Sequence, residues 1–445
     1  MNDLLSVADW AVKKGLSFGA DEVEVYLLNG EGTEVALENN DIHIGRTDVR
    51  SGAGIRVFKS KGLGFASCNS IEEEEIGRAI ERALQLANHA PPEPWNELPE
   101  KVPLKKVEGL YDADSESFGT EDALRLAKDM LNSVKDTDDR ITVESGVFSA
   151  QRGDEAIASS RGVQAEERAS IFMYYIMGMA LDGDEVSNLD YSLRFTHQVS
   201  RIDVHDAANE FTERVISSLG AKTVKSFEGT VILGPDAGKQ LLGTVLSHAV
   251  NSDNVQKEMS RFAGRLGEAV ASSQLNVVDD GLLNDGFATS SFDREGLPHS
   301  EVHLISSGRL ESFLYNTKTG IKDNVPSTGN ASGDEKQSPG VATTNVVVEG
   351  GDMDLEGMIA ETKRGLIVRR LSGYPDPLSG DFSAVVKGGF VVENGEIVQP
   401  VTDTIISGNV FKLTDNIEAI SKDQERVLNF VIPHIRVGGV TITGK

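Results

Sequence analysis

Apolar residues at Leu4, Leu5, Ala8, Trp10, Ala11 and Leu16 fall roughly on one helical face and predict a first helix over 3–16, interrupted by Gly19. Alternation then takes over. The stretches 22–28, 33–37, 42–44, 54–58 and 62–67 read as short strands of an antiparallel meander separated by turn residues. Ser70, with Glu73 three residues on, supplies an N-cap and its capping-box partner for a helix carrying Ile76, Ala79, Ile80, Ala83, Leu84 and Ala87 on one side. Five of the 13 prolines, Pro91, Pro92, Pro94, Pro99 and Pro103, then fall in a stretch without clear period, which predicts a linker over 91–118.

Beyond the linker the pattern predicts a helix over 121–134, longer strands over 141–147, 155–159, 163–178 and 185–197, and a helix over 206–219. The character changes near residue 225. A strand over 230–233 leads into a helix from Pro235 to about Asn251, and short glycine-punctuated strands continue to the end. Of the 45 glycines, 27 lie at or after Gly229, which suggests turns and bulges between short strands. The predicted fold class is α+β. An N-terminal unit (1–90) packs with a central helix–strand block (119–225), and residues 226–445 form a second domain built as a mainly antiparallel, glycine-rich sheet or barrel.

Composition narrows the function. Lys plus Arg number 43 against 70 Asp plus Glu, a net charge of −27, with no basic run long enough to track phosphates or an anionic membrane. The single cysteine, Cys68, excludes an intramolecular disulfide framework and fits a reducing compartment. Met1-Asn2-Asp3 begins no secretory signal, and the longest apolar stretch, Ile171 to Leu181, falls far short of the ~20 residues a membrane span needs. A cytoplasmic protein without nucleic-acid or membrane partners is expected.

Candidate chemistry is sparse. Gly234-Pro-Asp-Ala-Gly238-Lys239-Gln240 sits between strand and helix as a phosphate loop would, but it has three residues between its glycines, and Gln240 follows the lysine where a magnesium-binding hydroxyl belongs. It reads as a plain helix start. In the helix that follows, Leu241, Leu242, Val245, Leu246, Ala249 and Val250 share a core-facing side and leave Gly243, Thr244, Ser247, His248 and Asn251 opposite. One imidazole with no second ligand at helical spacing does not make a zinc site. His299 and His303 lie on an alternating segment that reads as a strand with both rings on one face, too far apart to chelate one ion easily. Cys68, among small residues with no histidine nearby in sequence, reads as a buried, inert thiol. Glycines within Lys387-Gly388-Gly389-Phe390 and at Gly408-Asn409 permit close backbone approach, either for an extended peptide or simply for a bulge. Lys387, Arg369 and Arg370 are candidate contacts for a peptide carboxylate.

Several segments in order resemble the TldD/PmbA family, the peptidases historically called modulators of DNA gyrase. They are Ala20 to Tyr26, Gly52 to Val57 with Gly64 to Ser67, Val278-Asp279-Asp280-Gly281, Phe292-Asp293-Arg294-Glu295-Gly296, Thr328-Gly329-Asn330, and Gly408-Asn409 with Asn416 to Ile420. The resemblance spans essentially the whole chain. TldD-type members are zinc peptidases whose helix carries H-E-x-x-x-H, completed by a cysteine near the carboxy terminus. Here Gly243 stands where the first histidine would, Thr244 where the glutamate would, His248 alone matches, and no cysteine follows Cys68.

Leu378 to Ser383 and Gly388 to Gly395 resemble the PmbA, or TldE, branch, whose members lack the metal motif. The resemblance therefore implies a subunit with no metal or cofactor of its own, paired with a TldD-like chain that holds zinc and acts on unfolded or leader peptides. Two alternatives stay open. One is an autonomous metallopeptidase gathering His248, His299 and His303 with nearby carboxylates; the other is a homodimeric peptide-binding protein.

Overall fold

The computed structural model describes residues 3–444; Met1 and Asn2, at the amino terminus read above, and Lys445 lie outside the described residues. Helix α1 (Leu4–Ser17) buries Val7, Ala8, Ala11 and Val12, and the chain turns at Gly19, where φ is 97°. Strands β1 (Glu22–Glu38), β2 (Asp41–Lys59) and β3 (Gly62–Cys68) follow, then helix α2 (Glu73–His89). The short strands expected within 22–58 are pieces of two long ones. Gly30 pairs directly with Gly153 of strand β4 (Ile141–Ser159), and a Cβ on it would stand 2.7 Å from the Arg152 carbonyl oxygen. These glycines let two backbones touch and keep the strand running instead of breaking it. The predicted capping box is also absent: α2 starts two residues later, with Glu72 as N-cap, while the Ser70 hydroxyl accepts from the Glu72 N–H at 3.0 Å.

The proline-rich segment holds little regular structure, yet it is not a loose tether. Asn96 and Leu98 are buried, the Asn96 amide donates to the Lys61 carbonyl at 2.9 Å, and the Leu98 N–H donates to Glu22 at 2.7 Å. Helix α3 (Thr120–Thr137), strands β4, β5 (Gln164–Asp182), β6 (Glu185–Val186) and β7 (Asp190–Thr196), and helix α4 (Val204–Ile216) complete the first half. The strands form one antiparallel sheet ordered β3-β2-β1-β4-β5, with β6 and β7 both on β5. Helices α1 and α2 share a core with the β1–β2 end, α3 and α4 with the β4–β5 end. On its outer side β2 is paired by β3 only over 53–59, and its residues 43–50 are exposed, Val49 at 76%.

The second half begins with β8 (Phe227–Leu233) and a helical segment, 235–249. It continues through β9 (Val277–Asp280), β10 (Glu301–Ser306), β11 (Arg309–Leu310), the small β12 (Ala331–Ser332) and β13 (Gly340–Val341) pair, and β14 (Val346–Val348). Strands β15 (Arg364–Ser372), β16 (Asp381–Glu393), β17 (Glu396–Val401), β18 (Ile405–Asn409), β19 (Ile417–Val427) and β20 (Phe430–Thr443) end it. Because β8 pairs with both β15 and β20, the order β8-β15-β16-β18-β20 closes on itself as a barrel. Closure leaves no raw edge in that ring. Leu241, Leu242 and Val245 of the helical segment join Val231, Leu366, Ile432 and Ile435 in one core, so the barrel fixes that helix in place. The architecture is the mixed α+β one that the periodicity predicts.

Candidate functional site

Strand β8 ends at Gly234, and Pro235 opens the helical segment at a position where a missing N–H costs nothing. The segment is not uniform. It runs α-helical over Pro235–Gly238, widens to a π turn over Lys239–Gly243, and returns to α-helix over Thr244–Ala249. Its apolar side lies in the core as the spacing predicts. Its other side, through Lys239, Gln240, Gly243, Thr244 and Ser247, lines a cavity of about 340 Å³ closed by Arg370, Tyr374 and Phe430. A second cavity of about 490 Å³ shares Tyr191, Asp236, Lys239 and Val427 with the first and continues toward Arg194, Glu210 and Arg214. Together they form one cleft between β7 and α4 on one side and the barrel on the other.

The three positions that the resemblance sets against the metal motif are each committed elsewhere. A Cβ on Gly243 would lie 2.7 Å from the Phe430 ring, so the space that a histidine side chain would need is filled. The Thr244 hydroxyl donates to the Gln240 carbonyl at 2.8 Å, within its own helix. His248 does not line the cleft. Its Nε2–H donates to the Met259 carbonyl at 2.7 Å, which leaves Nδ1 to accept from the Asn254 amide at 3.1 Å. Both ring nitrogens are thereby used. Catalytic zinc takes three protein ligands and an open position, and these residues do not fit it. Among the described residues no group of three or more His, Cys, Asp or Glu side chains converges as a metal site.

The other histidines correct the expectation of a shared strand face. His299 precedes β10 and is buried, its Nδ1 2.6 Å from the Gly329 carbonyl, under Gly281, where a Cβ would strike the imidazole. His303 is exposed beside Glu301 at 3.2 Å. Tertiary packing, not strand alternation, decides where the first ring goes. Cys68 is half-buried, its thiol donates to the Ser70 carbonyl at 3.3 Å, and burial pushes its pKa up.

Lys387, Gly388, Gly389 and Phe390 lie inside the barrel wall. Gly389 and Phe390 are paired on one side with Val368 and Ile367 of β15 and on the other with Val401 and Pro400 of β17. An added strand has no free backbone there. Gly388, at φ 64°, serves a different close approach: a Cβ on it would stand 2.7 Å from the buried Asp190 carboxylate of β7. Gly408 pairs with Phe382, and Asn409 caps the helix Val410–Asp415 while its amide donates to Ser379 O at 2.8 Å and to Asp381 at 2.7 Å. Neither borders the cleft. Arg370 does. It lies over the Tyr191 ring at 5.3 Å, with Asp190 3.5 Å from its Nε, whereas Arg369 turns over Phe390 at 4.6 Å and donates to Ser217. In the shared wall Asp236 accepts from the Tyr191 hydroxyl at 2.8 Å and from Arg214 at 3.3 Å, and burial with Asp236 nearby holds the Tyr191 phenol well above its usual pKa.

A second charged cluster carries no local sequence signal, although Glu24, Arg56, Arg294 and Glu295 lie in three of the segments that resemble the family. Arg56 of β2 bonds Glu24 of β1 and, at 2.8 Å, Glu295; Arg294 reaches Glu24 at 3.2 Å, and Arg50 reaches Glu335 at 2.8 Å. The other Glu295 oxygen accepts from the Thr317 N–H at 2.8 Å. The cluster docks the first sheet onto the second half across more than 200 residues of sequence, and no local pattern signals such a contact.

Comparison with known proteins matches all three parts of the chain to one family. Residues 23–87 match the PmbA/TldA metallopeptidase domain 1, 113–219 the central domain, and 226–444 the C-terminal domain. A metalloprotease of Methanocaldococcus jannaschii is 26% identical over 93% of this chain and 92% of its own length. The metalloprotease PmbA of Escherichia coli O157:H7 is 24% identical over 94% and 93%. The crystal structure of TldE from Thermococcus kodakarensis superposes with a TM-score of 0.90 at 24% identity, covering 98% of this chain and 100% of that one, which establishes the shared fold.

Proposed function

This chain belongs to the PmbA/TldD metallopeptidase family, and on that premise we propose that it is a PmbA/TldE-like subunit of a two-chain zinc peptidase. In this reading it helps to hold unfolded or leader peptides in extended form, while a TldD-like partner carries the zinc. One observation carries the reading: the helix that bears the metal motif in TldD-type members is present and buried in the same core, but Phe430 occupies the space at Gly243 and both nitrogens of His248 are bonded to protein. Such a helix supports a wall, not a metal centre. A cleft lies beside it, and its mixed polar lining suits a peptide.

The reading assigns the chain to the cytoplasm and gives it no nucleic-acid or membrane partner. No described helix is long and apolar enough to cross a membrane. The open outer edge of β2 offers a surface for a partner chain, because unpaired strand edges attract further strands. The same edge favours a homodimer as the second reading: two copies aligned antiparallel about Thr47 would set Arg46 of each opposite Asp48 of the other.

The test is zinc content and peptide cleavage, measured on this chain alone and after mixing with a TldD-like chain from the same genome, with light scattering on each sample. Zinc and cleavage tied to the mixture, together with a mixed dimer, are the expected result. Stoichiometric zinc and cleavage in this chain alone would overturn the proposal.

A further inference from the structure

Lys239 opens the π turn and lines both halves of the cleft. Single π turns inside helices occur frequently at functional sites. Its ammonium is half-buried, 5.9 Å from the centre of the Phe430 ring, and no carboxylate among the described residues lies within 4.0 Å of it. The acids nearby are taken. Asp236 is bonded to Tyr191 and Arg214; Glu210 is bonded to Arg214 at 2.7 Å and pairs with Arg194 at 2.8 Å; Asp285 pairs with Arg201 at 2.8 Å. Glu425 lines only the far half of the cleft.

In the 340 Å³ half, Lys239 is joined by a second cation, Arg370, which is ion-paired with Asp190 at 3.5 Å but whose buried Nε–H makes no hydrogen bond. The acid on that lining is Asp236, already paired. Burial lowers the Lys239 pKa and the charge of Asp236 offsets this only in part, in keeping with an ammonium that has no carboxylate in direct contact. Leu371 and Tyr374, the latter 75% exposed, give the same cavity an apolar rim. The volume is that of a small-ligand pocket, not of a folded partner.

We propose that this half of the cleft binds a carboxylate of an extended peptide, with Lys239 as its counter-ion and Arg370 as a supporting cation. The peptide in this statement rests on the function proposed above; the carboxylate rests on the pocket. A charge-assisted hydrogen bond of this kind contributes enough to change affinity by about tenfold or more.

The test uses this chain alone and three N-acetylated pentaglycine probes: one with a free carboxy terminus, one amidated, and one amidated with a single internal glutamate. Reductive methylation of lysines, followed by mass spectrometry, reads whether a probe shields Lys239 relative to the exposed Lys13 and Lys101. The free acid is expected to slow modification of Lys239 about tenfold at saturation, with the plain amide inert. Shielding by the glutamate probe would assign the carboxylate to a side chain, and its absence would assign it to the terminus. Lys239→Met should lower calorimetric affinity for the effective probe by about tenfold or more, and Lys239→Arg should restore most of it.

Equal shielding by acid and amide, no shielding by any probe, or unchanged affinity in Lys239→Met would each overturn the proposal. Activation of a TldD-like chain is a separate measurement. If Lys239 discriminates acid from amide but the mixture stays inactive, the subunit reading fails and the carboxylate site stands; the reverse pattern removes only the site.

Discussion

Two charged seams join the halves of this molecule, and they handle buried charge in opposite ways. Where β1 and β2 meet the 292–296 loop and Glu335, three carboxylates face three guanidiniums, and Glu24, Arg56, Arg294, Glu295 and Glu335 are all buried. Glu24, Glu295 and Glu335 each have a cation there, while Asp293 of the same loop is buried and satisfied instead by the Glu295, Leu297 and Ala331 N–H groups. Across the molecule, where β7 and α4 meet the barrel, Asp190, Asp236 and Glu210 are matched by Arg370, Arg214 and Arg194, but Lys239 is left over beside a cavity. Buried cations and acids that neutralise one another, with Asp293 held by backbone donors, make a dry joint, because desolvated charges persist only when they are paired or hydrogen-bonded. An incomplete set facing open volume marks a joint that a ligand can complete. The contrast separates the docking role of the Phe292-to-Gly296 segment from the binding role assigned to the cleft.

The largest effect should come from breaking the dry seam. Arg56→Met leaves Glu24 and Glu295 buried without their shared cation, and removal of one member of such a cluster costs about 3–5 kcal/mol. Urea unfolding should report that loss. A change below about 1 kcal/mol would mean that Arg294 alone sustains the cluster and that the seam is no different in kind from surface pairs.

A smaller effect is expected at the wall of the open seam. Gly243→His drives a side chain into the Phe430 ring and should destabilise by about 1–3 kcal/mol through overpacking, with no gain of zinc by elemental analysis. Combining it with Phe430→Ala should relieve the overpacking, so that the double variant falls short of the sum of the single losses. Strict additivity in the unfolding series would show that the Phe430 ring is not what excludes a side chain there.

The smallest effect concerns pH. Because the Lys239 pKa is lowered in the folded state, the unfolded chain binds more protons there between that pKa and 10.5, and stability rises with pH through that window. Lys239→Met removes the penalty. The variant should therefore melt higher than the parent at neutral pH, and the gap should close as pH approaches 10.5. A gap independent of pH would count against an unpaired ammonium at this position.

Much of this was legible along the chain. The helix over 4–17, the helix over 120–137 and the apolar side of the 235–249 segment follow from spacing alone. The loss of the metal motif is what the family resemblance implies, since it puts Gly243 and Thr244, which have no donor that suits zinc, at the motif's first two positions. The long strands were not legible, because Gly30 and Gly153 look like breaks until each is seen opposite the other. His299 looked like a partner of His303 until packing under Gly281 drew it inward. For Lys387 to Phe390 the sequence left a peptide contact and a bulge both open, and pairing with β15 and β17 on either side leaves no free backbone for an added strand. The π turn left no trace in periodicity, as five residues are too few to shift it.

Residue identity and local period, which belong to short stretches of chain, determined the α+β class and, through the resemblance, the family. Tertiary structure alone decided that Phe430 fills the place beside Gly243, that β8 and β20 close the barrel, and that Lys239 faces the cleft without a counter-ion. The reason is physical. Space filling and charge compensation are sums over neighbours brought together from distant parts of the chain, and no window of sequence contains them.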